Sequence, residues 1–266
     1  MGRSWDFYND IAEIYDSQYE EPYWKLYHSV TEKLIYRKLE ELGWNESGKT
    51  VLDLGGGTGY WLEFYNFYGF NVNYIEPSEK MLNIAKMKAE VLEEESSLDI
   101  VLDQGIAESL PYEDNSFDII NAQGDVLSYC LDVDSAMKEI RRTLKKDGLL
   151  IASVDSLYAF TNDAVCTGDF ERYEKILKER KSQIGDKEHS QVFFETRLFD
   201  TEYIEELSKK YKFEIVEIAG KIVFGPYEKE IITEKFEMIE KIEIENCTKP
   251  EYFGKSEHIH FILKKL

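Results

Sequence analysis

Between residues 50 and 155, short apolar runs alternate with stretches of helical periodicity. TVLDL (50–54), NVNYIE (71–76), DIVLD (99–103), FDIINA (117–122) and LLIASVD (149–155) read as strands. They are apolar on both faces, as in a parallel sheet covered by helices. The stretches between them predict helices over 60–68, from 78 to about 92, and over 134–144. Strand, helix, strand repeated in this order builds a doubly wound α/β sheet with right-handed crossovers.

The flanks depart from this rhythm. Residues 1–48 read as helix, divided at Pro22, with the second segment ending near Gly43. Residues 156–200 follow the fifth strand, begin without clear strand signals and carry Phe160, Phe170, Tyr173, Phe193 and Phe194. They read as an insertion capping the sheet. TEYIEELSKKY (201–211) predicts a helix and FEIVEIAGKIVF (213–224) a strand; an acidic helix over 228–245 leads to a last strand, HIHFILKKL. No repeat, low-complexity tract or glycine-serine linker divides the chain. The expectation is a single domain over 1–266: helical lid 1–48, core 49–155, cap 156–200, and sheet-completing elements 201–266.

Composition narrows the function. The 266 residues carry 53 acids against 32 bases, a net charge of −21. Such a field repels nucleic acid unless a basic patch overrides it. The densest bases, Arg141, Arg142, Lys145 and Lys146, precede a glycine and read as cations complementing a helix C-terminus. No apolar run is long enough for a membrane span, and the N-terminus has no signal-peptide core. Cys130, Cys166 and Cys247 are distant from one another and form no CxxC pair, which reads as reduced thiols of a cytoplasmic protein.

The chemistry is concentrated in VLDLGGGTGYW (51–61), where four glycines follow a strand and open a helix. Backbone that bare lets a ligand approach closely. A dinucleotide would set its pyrophosphate on the helix N-terminus, normally through GxGxxG. Here the spacing is GxGxG, and Asp53 stands where a pyrophosphate would be repelled. A cationic ligand reverses that sign. S-adenosylmethionine, with a sulfonium, an ammonium and no phosphate, is such a ligand. The next strand ends in Glu76, followed by Pro77, where a carboxylate can accept both ribose hydroxyls. Ser78 reads as a helix N-cap.

These residues, with GIAESLPYEDNSFDIINAQGDVLSYC (105–130) and RRTLKKDGLLIASVD (141–155), resemble the class I S-adenosylmethionine-dependent methyltransferases. IAEIYDSQYE (11–20) is similar to the YDxxY helix of their quinone-biosynthesis and small-molecule branches. The resemblance covers about residues 48–155. It implies a Rossmann-like methyltransferase fold, with a doubly wound, mostly parallel seven-stranded sheet, a helical N-terminal lid and an insertion after strand 5. It also implies S-adenosylmethionine as cofactor, bound by Asp53, Gly55, Gly57, Gly59, Glu76 and Pro77. Ala107 and Glu108 would lie along the adenine, and a backbone carbonyl near Gln123 would hold the methionine ammonium. Ile106 stands where the family often has an acid, so Glu108 or a backbone carbonyl takes the adenine amino group.

Tyr15, Tyr19, Tyr23 and Tyr27 recur every four residues, which fits either core packing or an aromatic lid near the sulfonium. On the family pattern Tyr15 and Tyr19 are the lid residues. Methyl transfer is an in-line displacement that needs a base only when the acceptor must lose a proton. Asp125, Tyr129 and His28 are the candidates, and the sequence shows no His–Asp pair. Asp125 reads equally as a helix N-cap, and His28 as a surface residue. His258 and His260 share one face of the last strand, with no third ligand nearby in sequence, so no metal is expected. The expected partner is a small molecule, neither nucleic acid nor membrane. The rival readings are an NAD-dependent oxidoreductase and a non-catalytic S-adenosylmethionine-binding protein.

Overall fold

The computed structural model describes residues 2–44, 48–95 and 99–266. Helices α1 (Ser4–Gln18) and α2 (Pro22–Leu42) precede a central sheet with β1 (Thr50–Leu54), β2 (Asn71–Glu76), β3 (Ile100–Gln104) and β4 (Phe117–Ala122). Helices α3 (Tyr60–Phe67) and α4 (Glu79–Glu95) connect the first three strands. After β4 come α5 (Val126–Tyr129), α6 (Val133–Thr143) and β5 (Leu144–Asp155). The cap holds α7 (Leu157–Cys166), α8 (Phe170–Glu179) and the paired strands β6 (Lys181–Ile184) and β7 (Phe194–Arg197). Helix α9 (Thr201–Lys210), β8 (Phe213–Lys221), α10 (Lys229–Asn246) and β9 (His258–Lys265) complete the chain.

The seven-stranded sheet runs β3-β2-β1-β4-β5-β9-β8, with the first five strands parallel and β9 antiparallel to both neighbours. Order reverses between β1 and β4, so a crevice opens beyond their C-terminal ends. One face of the sheet packs Leu52, Ile120, Leu150 and Phe261 against Met137 and Ile140 of α6 and Ile204 of α9. The other packs Val51, Val72, Ile119 and Ile151 against Leu62 and Tyr65 of α3 and Leu82 and Ala85 of α4. Both faces are covered, which is why these strands read as unbroken apolar runs.

Two sequence expectations need correction. Strand β5 begins at Leu144, not 149, because Leu144 pairs with Phe117 across an irregularity in the β4 register. Lys145 and Lys146 therefore lie in a strand, and Lys145 meets Asp118 at 2.7 Å instead of a helix end. Only Arg141 and Arg142 occupy the last turn of α6. The Arg142 guanidinium donates to the carbonyls of Leu110 and Tyr112 and to Glu139 and Asp114, tying down the loop before β4. In the cap, β6 and β7 form a small antiparallel pair that the sequence did not signal. At four residues each, they are too short for an alternating pattern to stand out.

The N-terminal helices are anchored differently. Pro22 opens α2, and Gly43 closes it in the left-handed conformation. Leu26, Val30 and Leu34 of α2 are fully buried against Ala219, Ile222, Ile232 and Ile239. Helix α1 makes a smaller cluster, Phe7, Ile11 and Ala12 against Met81 and Phe194. Leu34→Ala should lower the unfolding free energy by about 2–5 kcal/mol, since it opens a cavity in a closed cluster. Denaturant melts of the two chains check this, and a loss under about 1 kcal/mol would mean the α2–α10 seam repacks freely.

Candidate active site

The glycine loop at the tip of β1 leaves no room for a side chain at Gly55, Gly56 or Gly59. A Cβ on Gly56 would stand 2.3 Å from the Tyr74 ring and 2.5 Å from Asp53 Oδ2. Gly55, Gly57 and Gly59 adopt positive φ angles of 66°, 59° and 83°. Beneath the loop, Asp53 Oδ1 accepts from Asn121 Nδ2 at 2.9 Å, and Tyr65 donates to Asn121 Oδ1 at 3.1 Å. Asp53 Oδ2 is buried without a hydrogen bond. Burial pushes the Asp53 carboxyl up to about 7, against the pull of Asn121.

Glu76 ends β2 and faces the same loop. Its Oε2 accepts from the Gly57 amide at 3.1 Å and its Oε1 from the Ser78 amide at 2.8 Å. Burial pushes this carboxyl up to about 7 as well, despite the two backbone donors. Each oxygen keeps a further acceptor direction. Ser78 is an N-cap, as the sequence suggests: its Oγ accepts from the Met81 amide at 3.2 Å and donates to Asn9.

Above the strand tips lies a cavity with about 950 Å³ of space, its open mouth included. Gly55, Gly56, Gly57, Glu76 and Pro77 form one side, and Ile106, Ala107 and Glu108 a second. Gln123 and Tyr129 close the end at β4 and α5. Gln123 is buried with neither amide atom hydrogen-bonded, so a donor and an acceptor are offered to whatever fills the space. The roof is aromatic: Trp5, Tyr8, Tyr15, Tyr19, Tyr27 and Tyr60. The tyrosine rings meet edge to face, Tyr8–Tyr15 at 5.8 Å and Tyr15–Tyr19 at 5.1 Å between centroids. Burial pushes the Tyr8, Tyr19, Tyr27 and Tyr129 hydroxyls well above the usual phenol value, and Tyr15 up to about 12. The roof is therefore uncharged at neutral pH.

Most residues singled out from sequence line this cavity, and three do not. Asp53 lies under the glycine loop, where it fixes Gly56 instead of facing the space. Gly59 packs on Leu62 and Ala85 and starts α3. Asp125 turns away: it has φ +63°, its side chain makes no N-cap hydrogen bond, and its Oδ2 stands 3.0 Å from His258 Nδ1. His28 is buried, stacked on Tyr60 at 4.1 Å, and not on the helix surface. Burial, reinforced by Lys221, lowers its pKa to about 3, so it is a neutral imidazole and a poor base. Glu108 directs Oε1 to the Leu131 and Asp132 amides and so anchors the turn after α5.

Sequence reasoning overlooked Trp5, Tyr60, Trp61 and Met81 among the lining residues. For Tyr60 and Trp61 the signal was available, since they directly follow the glycine loop. The His–Asp pair absent from the sequence is present in space. Asp155 Oδ1 lies 3.7 Å from His258 Nδ1, opposite Asp125, which supplies the neighbours that the last strand by itself lacks. Burial and then Asp125 push Asp155 up to about 7. Burial opposes the protonated form of His258, but the carboxylates outweigh it and raise its pKa.

Comparison with known proteins agrees with this geometry. A family model described as a methyltransferase domain matches residues 52–152. A putative methyltransferase of Geobacillus is 31% identical over 175 residues, 64% of this chain and 67% of that protein. The chain belongs to the class I S-adenosylmethionine-dependent methyltransferases. A demethylmenaquinone methyltransferase of Lactococcus lactis is 32% identical over 149 residues, 55% of this chain and 56% of its own. The crystal structure of a putative S-adenosylmethionine-dependent methyltransferase from Listeria monocytogenes shares the fold, with a TM-score of 0.62 at 18% identity. It matches 90% of this chain and 98% of its own. S-adenosylmethionine is accordingly the family's cofactor, and the glycine cradle, Glu76 and the unpartnered Gln123 amide fit its ribose and methionine ends. Among the described residues no helix is long and apolar enough to cross a membrane.

The raised Glu76 and Asp53 carboxyls generate a pH prediction. In the folded, cofactor-free chain each holds its proton to about pH 7, whereas an unfolded carboxyl releases it near pH 4. Their contribution to stability is lost as pH rises from about 4 to 7. Ribose hydroxyls need the ionised carboxylate as acceptor, so affinity for S-adenosylhomocysteine should rise from pH 6 to 8, by up to roughly tenfold. Glu76→Gln should weaken binding by about 1–3 kcal/mol at pH 8 and flatten this dependence. Titration calorimetry on both chains checks it, and a flat profile in the native chain would mean that Glu76 does not hold the ribose.

Proposed function

We propose that the chain transfers the methyl group of S-adenosylmethionine to a small, apolar or aromatic acceptor. The observation that carries this reading is the aromatic roof that α1, α2 and α3 set over the cavity at the strand tips, which suits a small molecule better than a macromolecule. A net charge of −21 argues further against nucleic acid. In this reading Glu76 takes the ribose, and Ile106, Ala107 and Glu108 border the adenine. Gln123 with the Gly55–Gly57 backbone takes the methionine end. Tyr15 and Tyr19, with Tyr8, set aromatic faces toward the sulfonium, which an electron-rich ring face attracts.

When bound, the cofactor supplies a methyl carbon already activated by positive sulfur. The chain's own residues orient the two reactants and keep water out. Among the described residues that line the cavity, His28 is held neutral and the tyrosines keep their protons, while the Glu76 and Glu108 carboxyls accept from backbone amides and in this reading serve the cofactor. This favours an acceptor whose nucleophilic atom carries an available electron pair on arrival. An unprotonated nitrogen or a phenolate oxygen meets that requirement; a ring carbon would in addition have to pass its proton to a base.

S-adenosylhomocysteine should raise the melting temperature, by the equivalent of roughly 2.7 kcal/mol at 100 times its dissociation constant. NAD should not, and stabilisation by NAD instead would sink the reading. Mass spectrometry of methyl transfer from labelled cofactor into an acceptor panel identifies the acceptor class. If α1 works as a lid, hydrogen exchange over residues 4–18 should slow on adding S-adenosylhomocysteine, while β1 changes little. Removing residues 1–19 should abolish transfer yet leave a folded core, because α2 keeps its own buried seam. Full protection of α1 in the free chain, together with an insoluble truncation, would make its tyrosines structural.

A further inference from the structure

Beside the cofactor cavity lies a second cleft, bounded by Tyr158 and Asn162 of α7, by Gly225 and Pro226, and by Lys255. The two spaces share Tyr129. Asp155 and His258 line this second cleft, and Asp125 stands behind them. The function proposed above uses none of the three.

We infer that Asp125, Asp155 and His258 form a binding site for one divalent transition-metal cation, opening onto this cleft. One ligand atom from each residue lies within 4.8 Å of the other two. The imidazole Nδ1 is 3.0 Å from Asp125 Oδ2 and 3.7 Å from Asp155 Oδ1. Two donors each about 2.1 Å from one ion stand at most about 4.2 Å apart, so both separations are compatible with a shared ion. A simple ion pair accounts poorly for the orientation. Asp125 Oδ2 stands 3.0 Å from His258 Nδ1, yet the contact does not meet the geometry of an aligned hydrogen bond. Asp125 Oδ1 is also without a partner, in a residue only 5% exposed. A buried carboxylate with one unpartnered oxygen, beside an unpartnered imidazole nitrogen and a second buried carboxylate, is a donor set that a cation satisfies.

The surroundings hold these ligands as a metal centre requires. Thr196 Oγ1 donates to Asp155 Oδ2 at 2.5 Å, and the Tyr27 ring stands edge-on to His258 at 5.1 Å. The Asp125 backbone amide and that of Gly124 donate to Ser153 Oγ, at 3.3 and 3.0 Å. In β-sheet register Asp155 pairs with His258 on β5 and β9, so rigid strands set two of the three ligands. Lys221 is the nearby competing cation. Its ammonium lies 3.6 Å from the Tyr27 ring centroid and donates to Thr31 at 3.2 Å. A nitrogen donor with two carboxylates suits Mn²⁺, Fe²⁺, Co²⁺ or Zn²⁺ better than Ca²⁺. The cleft side leaves coordination positions open.

This inference rests on ligand geometry and is independent of the methyl acceptor. The test is Mn²⁺ titration of the chelator-treated full chain, followed by electron paramagnetic resonance and calorimetry, with Zn²⁺ as competitor. One Mn²⁺ per chain is expected, displaced by Zn²⁺. His258→Gln and Asp155→Asn should each weaken it at least tenfold, the lower bound for disturbing a metal's ligand shell. Asp155→Asn keeps the shape and an acceptor for Thr196, so it remains informative if His258→Gln fails to fold; circular dichroism verifies both. The proposal is overturned by no stoichiometric Mn²⁺ up to about 1 mM, the weak end for protein-held divalent ions. Binding that both variants leave unchanged, as the exposed Asp186, Glu188 and His189 group would give, also overturns it.

Discussion

The structure turns on the contact between Asp53 and Asn121, two polar residues facing each other at the last rung of the central strand pair. They are register partners on β1 and β4, fully surrounded by protein, and joined at 2.9 Å. A buried carboxylate of this kind is tolerable only with a hydrogen bond, and Tyr65 from α3 completes the set. The arrangement fixes where the two strands part and brings Asp53 Oδ2 up against the position a side chain on residue 56 would fill. Glycine at 56 is thus dictated from below by the carboxylate and the Tyr74 ring, before any ligand is considered. The backbone held bare in this way forms the wall of the cavity.

This alters the reading of Asp53 without removing it from the site. Sequence alone made it a counter-charge for a cationic ligand; in space it is one layer deeper, and its charge reaches the cavity through the loop it supports. Of the two carboxyls, Glu76 is the one that lines the cavity. Both carboxyls sit near the middle of the physiological pH range, because burial opposes ionisation and the available donors compensate only in part. A cationic ligand arriving above them would favour their charged forms.

The strands were legible because parallel strands covered on both faces must be apolar throughout, and the helices because one face of each repeats at helical period. The glycine loop, Glu76 and the Ser78 cap were legible because their chemistry is local. Three features were not. Leu144 joins β5 through a register irregularity that no hydrophobic pattern records. The burial of His28 depends on α2 lying across the mouth of the sheet, and its own helix gives no hint of Tyr60. The meeting of Asp125, Asp155 and His258 needs β9 to insert antiparallel beside β5, bringing together residues more than 100 positions apart in sequence. Patterns along a chain report which face is buried, and only topology reports against what.

The tyrosine series shows why a choice between packing and function was a false one. Pro22 splits the four-residue repeat into two helices, so the rings do not form one stripe. Tyr15 comes down from α1 and Tyr19 from the residue that caps its C-terminus, Tyr27 comes from α2, and Tyr23 instead donates to Glu257 outside the cavity. Every roof tyrosine is packed edge to face on another aromatic ring, which is a core-like arrangement. The helix that carries Tyr15 and is capped by Tyr19 nevertheless has a small apolar seam of its own. Helix α2 is locked into a closed cluster with β8 and α10. The wall that holds Tyr27 and His28 is therefore part of the cluster of α2 with β8 and α10, while the wall that holds Tyr15 and Tyr19 rests on the smaller cluster of α1. A ligand filling the cavity beside this smaller seam would add its contacts to it and so favour the packed arrangement.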